Sequence, residues 1–103
     1  MEKTICVRKN ETVNRMGDKI VLYYFARERK VQSGEFLKKL YTIGVEMYTQ
    51  QYGMRSVKES KVIGDVSSDK YEAEKIVDML CNRCVTPQSL PDIICDYMSE
   101  KAI

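Results

Sequence analysis

The clearest pattern in the chain begins at Tyr41. Tyr41, Ile43, Val45 and Met47 alternate with Thr42, Gly44, Glu46 and Tyr48. Period-two alternation is the mark of a strand with one face buried and one facing water. Upstream, residues 20–26 read Ile-Val-Leu-Tyr-Tyr-Phe-Ala without a polar break. That β-branched and aromatic content predicts a strand covered on both faces, or nearly so. Residues 4–8 predict a short strand, with Ile5 and Val7 on one face and Thr4, Cys6 and Arg8 on the other. Residues 54–66 carry a weaker strand signal, best at 61–66.

The connections are read from their polar and glycine content. Residues 9–18 are polar, and Met16-Gly17-Asp18-Lys19 is a turn, because glycine tolerates positive φ. Residues 27–40 are densely charged around Ser33-Gly34. They predict a loop or hairpin connection, with the next strand starting near Leu40. Residues 50–53 predict another turn. Short connections between successive strands predict an antiparallel meander of three to four strands.

After residue 66 the period changes. Ser67, Ser68 and Asp69 are helix-capping residues, and Asp69 with Glu72 has capping-box spacing. Ala73, Ile76, Val77, Leu80 and Cys84 then recur three and four apart, making one apolar stripe. Val85-Thr86-Pro87 ends that helix, and Ser89-Leu90-Pro91-Asp92 starts a second. Its stripe is Leu90, Ile93, Ile94, Tyr97 and Met98. The expected architecture is a single α+β domain over residues 1–103, strand-rich over 1–66 and helical over 68–101. Two C-terminal helices pack on one face of the sheet.

Composition narrows the function more than the fold. With 103 residues the chain has the size of one domain. Its 17 basic and 15 acidic residues give a net charge of +2. Dedicated nucleic-acid binders carry a larger excess or a basic stripe, so the balance does not favour nucleic acid. No apolar run is long enough for a signal peptide or a bilayer span. The expected compartment is the cytoplasm, with no membrane partner and with reduced cysteines.

The sequence contains no histidine, which removes the commonest general base. It has no phosphate-cradling glycine motif and no serine elbow. An enzyme is therefore not expected. The cysteines leave three readings open. Cys81-Asn82-Arg83-Cys84 is a CxxC, and with Cys6 and Cys95 it supplies four thiolates, the number a tetrahedral zinc takes. A redox dithiol is the second reading, opposed by a position near a helix C-terminus, where the dipole works against a thiolate. The third is that the cysteines pack as small hydrophobes.

The cluster Arg27, Arg29, Lys30, Lys38 and Lys39 flanks the Ser33-Gly34 turn. It reads as a contact for phosphates or an acidic protein, or as a solvated loop. Tyr48 falls on the polar side of its strand. It reads as an interface anchor or as cross-strand packing.

The C-terminal two thirds resemble a known family. The resemblance rests on Gly44 within its alternating strand, on Val62-Ile63-Gly64-Asp65-Val66-Ser67 followed by a helix, on Val85-Thr86-Pro87, and on the segment from Leu90-Pro91-Asp92 to Tyr97. Over roughly residues 40–98 the chain resembles a family of small uncharacterised proteins from clostridia and related Firmicutes, with Cys81, Cys84 and Cys95 as its own departures. The resemblance implies an origin and a fold, and no activity. The expected function is a non-catalytic regulatory or adaptor protein that binds another protein, with Tyr48, Arg27, Arg29 and Lys30 as candidate contacts. One version of that class is a phage or mobile-element inhibitor of a host defence nuclease. The alternative is a zinc-stabilised module, with Cys6, Cys81, Cys84 and Cys95 as ligands, that binds nucleic acid.

Overall fold

The computed structural model describes residues 2–50 and 57–101. The turn expected at residues 50–53 and Tyr52 fall largely outside them. Four strands come first, β1 (Glu2–Val13), β2 (Lys19–Ser33), β3 (Phe36–Gln50) and β4 (Val57–Ser67). Helices α1 (Lys70–Asn82) and α2 (Leu90–Lys101) follow. The strands pair antiparallel in chain order, β1-β2-β3-β4, as a meander. Sheet and helices make two layers, and the molecule is a plate of 55 × 32 × 17 Å.

Register assigns each side chain to a face. Tyr24 lies opposite Val45, Ala26 opposite Ile43, and Ile43 opposite Ile63. These side chains meet Ala73, Ile76, Val77 and Leu80 of α1, and Leu90 and Ile94 of α2, in one continuous core. Helical stripe and strand alternation thus converge, each supplying the apolar surface that the other needs removed from water. The stripe stops short of Cys84, which is exposed and sits past the helix end with φ 51°. The cap at Asp69 is as expected, but in place of the reciprocal bond of an Asp69–Glu72 capping box the Asp69 N–H donates to the Ser67 hydroxyl at 3.0 Å. Asp69 is its N-cap, and its carboxylate accepts a hydrogen bond from the Tyr71 N–H at 2.9 Å. Glu72 accepts one from the Ser67 hydroxyl at 2.6 Å.

Three sequence expectations need correction. β1 runs to Val13, because the polar residues 9–12 pair with residues 20–23 of β2 and Val13 with Lys19. Hydrogen bonding to a neighbour, not hydrophobicity, holds them extended. Residues 27–40 are not a loop: β2 continues to Ser33 and β3 begins at Phe36, around the predicted Gly34 turn with φ 63°. Beyond the Glu2–Arg29 and Tyr41–Ser67 pairs, the β2–β3 hairpin projects as a two-stranded arm. Both of its faces are wet, so it lacks the alternation that identifies a strand. Finally, a bulge between Thr4 and Cys6 breaks the expected pairing of Ile5 with Val7. Ile5 packs on the core and Cys6 is buried in it, whereas Val7 is 51% exposed on the other face.

The deepest polar contact closes the core. Tyr24 is fully buried, and its hydroxyl donates to the Val85 carbonyl at 2.8 Å. The bond fastens the connection between α1 and α2 to the central strands. Burial raises the Tyr24 phenol far above the ordinary tyrosine value of 10.0, and burial also raises Tyr41, Cys6 and Cys81. These groups keep their protons in the folded chain while the unfolded chain releases them. Stability is therefore complete below those ordinary values and is lost as pH climbs past them. Denaturant unfolding across alkaline pH is expected to show a decline that Tyr24→Phe makes shallower. At neutral pH the same variant loses about 1–3 kcal/mol through the orphaned Val85 carbonyl.

Candidate interaction surface

The second face of the sheet has no helix of the described residues on it, and cross-strand pairing sets its rows. In the first row Val7, Phe25, Gly44 and Val62 lie side by side across all four strands. The next row is Lys9, Tyr23, Glu46 and Ser60, and the third is Glu11, Val21, Tyr48 and Lys58.

Phe25 is the apolar centre, and it is only 6% exposed although no helix reaches it. Its ring lies over Gly44. A Cβ at that glycine would land on the ring and within 2.7 Å of Val62 Cγ1. Above the ring sits the Arg27 guanidinium, 4.5 Å from the centroid, a cation–π contact. Val7 and Val62 flank this stack, each 51% exposed. Beside it Tyr23 and Tyr48 meet edge to face at 5.8 Å between centroids. With Val21 and Glu46 they line a shallow hollow of about 440 Å³. The Tyr48 hydroxyl donates to Glu46 at 3.2 Å, and Lys58 lies over the Tyr48 ring.

The rim is charged in both signs. Glu11 accepts from Lys9 at 3.0 Å and lies 3.7 Å from Lys19, while Lys58 reaches Glu46 at 3.8 Å. The Lys9 contact raises the lysine and lowers the carboxylate. Arg29 donates to both carboxylate oxygens of Asp65 at 2.7 Å. Asp65 reaches it from β4, where a register irregularity gives it φ 53°. These pairs are about half exposed and add little to stability, but they fix where the charges stand.

The candidate contacts thus divide. Tyr48, Arg27 and Arg29 share the helix-free face. Lys30 points the other way, into a cleft on the helix side. Phe25, Val7, Val62 and Tyr23 complete the face and were missed, since an apolar run in sequence looks the same whether one side or both are covered.

The four cysteines are free, and among the described residues no three metal-ligating side chains converge as a metal site. Cys6 is buried in the core, and Cys95 is exposed on α2. The CxxC instead fastens the end of α1 to β1. The Cys81 thiol lies 3.8 Å from the Lys9 carbonyl, and the Asn10 amide donates to the Cys81 carbonyl at 2.9 Å and the Cys84 sulfur at 3.0 Å.

Among known families, the model for a family of unknown function (DUF6514) matches residues 1–100. The chain belongs to DUF6514. The match includes β1 and the arm, which lie outside the stretch that carried the resemblance in sequence. No curated protein and no solved structure matches this DUF6514 chain. No helix among its described residues is long and apolar enough to cross a membrane.

Two measurements check this geometry. Gly44→Ala is expected to push Phe25 off its seat and lower stability by about 1–3 kcal/mol, read from denaturant unfolding. In a timed thiol titration Cys84 and Cys95 should react first and Cys81 more slowly, with Cys6 reacting only on unfolding.

Proposed function

We propose that this DUF6514 chain is a non-catalytic protein-binding module whose partner covers the helix-free face of the sheet. One observation carries the reading: this face holds an aromatic and aliphatic strip, Val7, Phe25, Val62, Tyr23 and Tyr48, with no layer of the described residues over it. Contiguous apolar surface ringed by polar groups is characteristic of interaction sites. Tyrosine suits such a site, since it buries much area for few rotors and keeps a hydroxyl for the rim.

Charge selects the class of partner. Lys9, Lys19, Lys58 and Arg29 are each matched on the face by Glu11, Glu46 or Asp65. A surface balanced in this way offers no attraction to a polyanion. It complements a protein surface with an apolar ridge and charges of both signs. The clostridial origin implied by the resemblance names the cells in which to seek the partner.

Affinity capture from such cells, with the wild-type chain and face variants compared side by side, tests the proposal. Tyr48→Ala and Val62→Glu are expected to weaken the complex by about 30-fold or more, as at interface hot spots, with the unfolding midpoint little changed. Undiminished recovery of the partner after substitution of Tyr23, Tyr48, Val7 and Val62 together would overturn it.

A further inference from the structure

The helix side of the plate holds a second feature, independent of the face just described. Where α1 begins, the sheet runs on past it as the projecting arm. The angle between them is a cleft of about 680 Å³. Four lysines line it, each from a different element: Lys3 of β1, Lys30 of β2, Lys39 of β3 and Lys70 of α1. Lys30 and Lys39 are direct cross-strand partners, and Lys3 lies opposite Glu28, two residues from Lys30. Like charges placed directly opposite on a sheet oppose its pairing.

Glu2 and Glu28 in the same lining offset two of these four charges, which leaves the cleft at +2. Among the described residues none of the four ammonium groups forms an ion pair, although six such pairs occur elsewhere. The two carboxylates of the cleft are engaged with other groups. Glu28 accepts the Tyr41 hydroxyl at 3.2 Å, and Glu2 lies 4.0 Å from Arg27. The partly buried Ile5 provides an apolar patch in the wall.

We propose that this cleft binds a compact, multiply phosphorylated anion, with Lys3, Lys30, Lys39 and Lys70 sharing its charge. The volume suits a small ligand. The four lysines form a cluster where the arm meets α1 and not a stripe, and Lys9, Lys19, Lys58 and Arg29 of the other face are paired with carboxylates. A nucleic-acid backbone needs a track of cations along its length. A short chain of phosphates needs only a cluster. The lysine ammonium suits this task, as a point charge with three donors that bind oxygens in any orientation.

Calorimetry with inorganic tripolyphosphate tests it, with sulfate at equal ionic strength as the control and a single-stranded RNA oligonucleotide as the competing ligand. Saturable binding of tripolyphosphate is expected, with sulfate much weaker. Lys30→Gln with Lys39→Gln should weaken it about tenfold or more, whereas Lys→Arg at both positions retains it. All four lysines are exposed, so the variants are expected to keep the wild-type unfolding midpoint, which the same samples can report. Three results would each overturn the proposal: no tripolyphosphate binding, binding indifferent to the Gln pair, or RNA binding that exceeds tripolyphosphate and is lost in the same variants. Failure here leaves the protein-binding face untouched, because no residue is shared between the two sites.

Discussion

A four-stranded sheet has two faces, and this chain has helices for one. Every other feature follows from that inequality. The covered side uses ordinary core chemistry: Ile43, Val45, Ile76, Val77, Leu80 and Leu90 are removed from water together. The uncovered side must hold apolar residues in place without a lid. It does so by stacking within a single layer. Gly44 gives up its side chain so that Phe25 can lie flat across β3, and Arg27 closes over the ring. An aromatic laid over a cross-strand glycine restores packing that the glycine alone would forfeit.

How much of this was legible in the sequence depends on which physical term dominated locally. Where burial dominated, the pattern was plain. The alternation from Tyr41 to Met47 and the stripe from Ala73 to Leu80 were both read to the correct face. Where backbone pairing dominated, it was not. Lys9, Asn10, Glu11 and Thr12 are extended because β2 lies beside them, and Lys30 and Lys39 because they face each other across a ribbon. Side-chain pattern carries no record of a hydrogen-bonding neighbour. The bulge at Ile5 was illegible for a related reason, since one extra residue inverts the faces on either side of it.

The candidate site divides along the same line. Tyr48 was placed correctly because its strand alternates cleanly. The basic residues around Gly34 looked like one cluster because they are close in sequence, but strand geometry sends Arg27 and Arg29 to one face and Lys30 to the other. Lys3 and Lys70 join Lys30 from distant positions, a convergence no local window contains. The cysteines stand out for another reason. Cys81 and Cys84 attract notice as a motif, but the structure uses them with Asn10 to tie α1 to an edge strand.

The two proposed sites also differ in what would hold a ligand, and the fold explains why they sit on opposite sides. Apolar recognition needs a broad, rigid floor. The helix-free face offers one, because its central strands are backed by the core beneath, with β2 fastened by the Tyr24–Val85 bond. Charge recognition needs convergence from several directions, which a flat sheet cannot give. It arises where layers end at different lengths, and here α1 begins while the arm continues past it. Extending β2 and β3 beyond their neighbours therefore does two things at once. It lengthens the plate, whose long extent is 55 Å, and it creates a corner where side chains from β1, β2, β3 and α1 face a common volume. A shorter hairpin would preserve the core and the open face, and would remove Lys30 and Lys39 from the corner altogether.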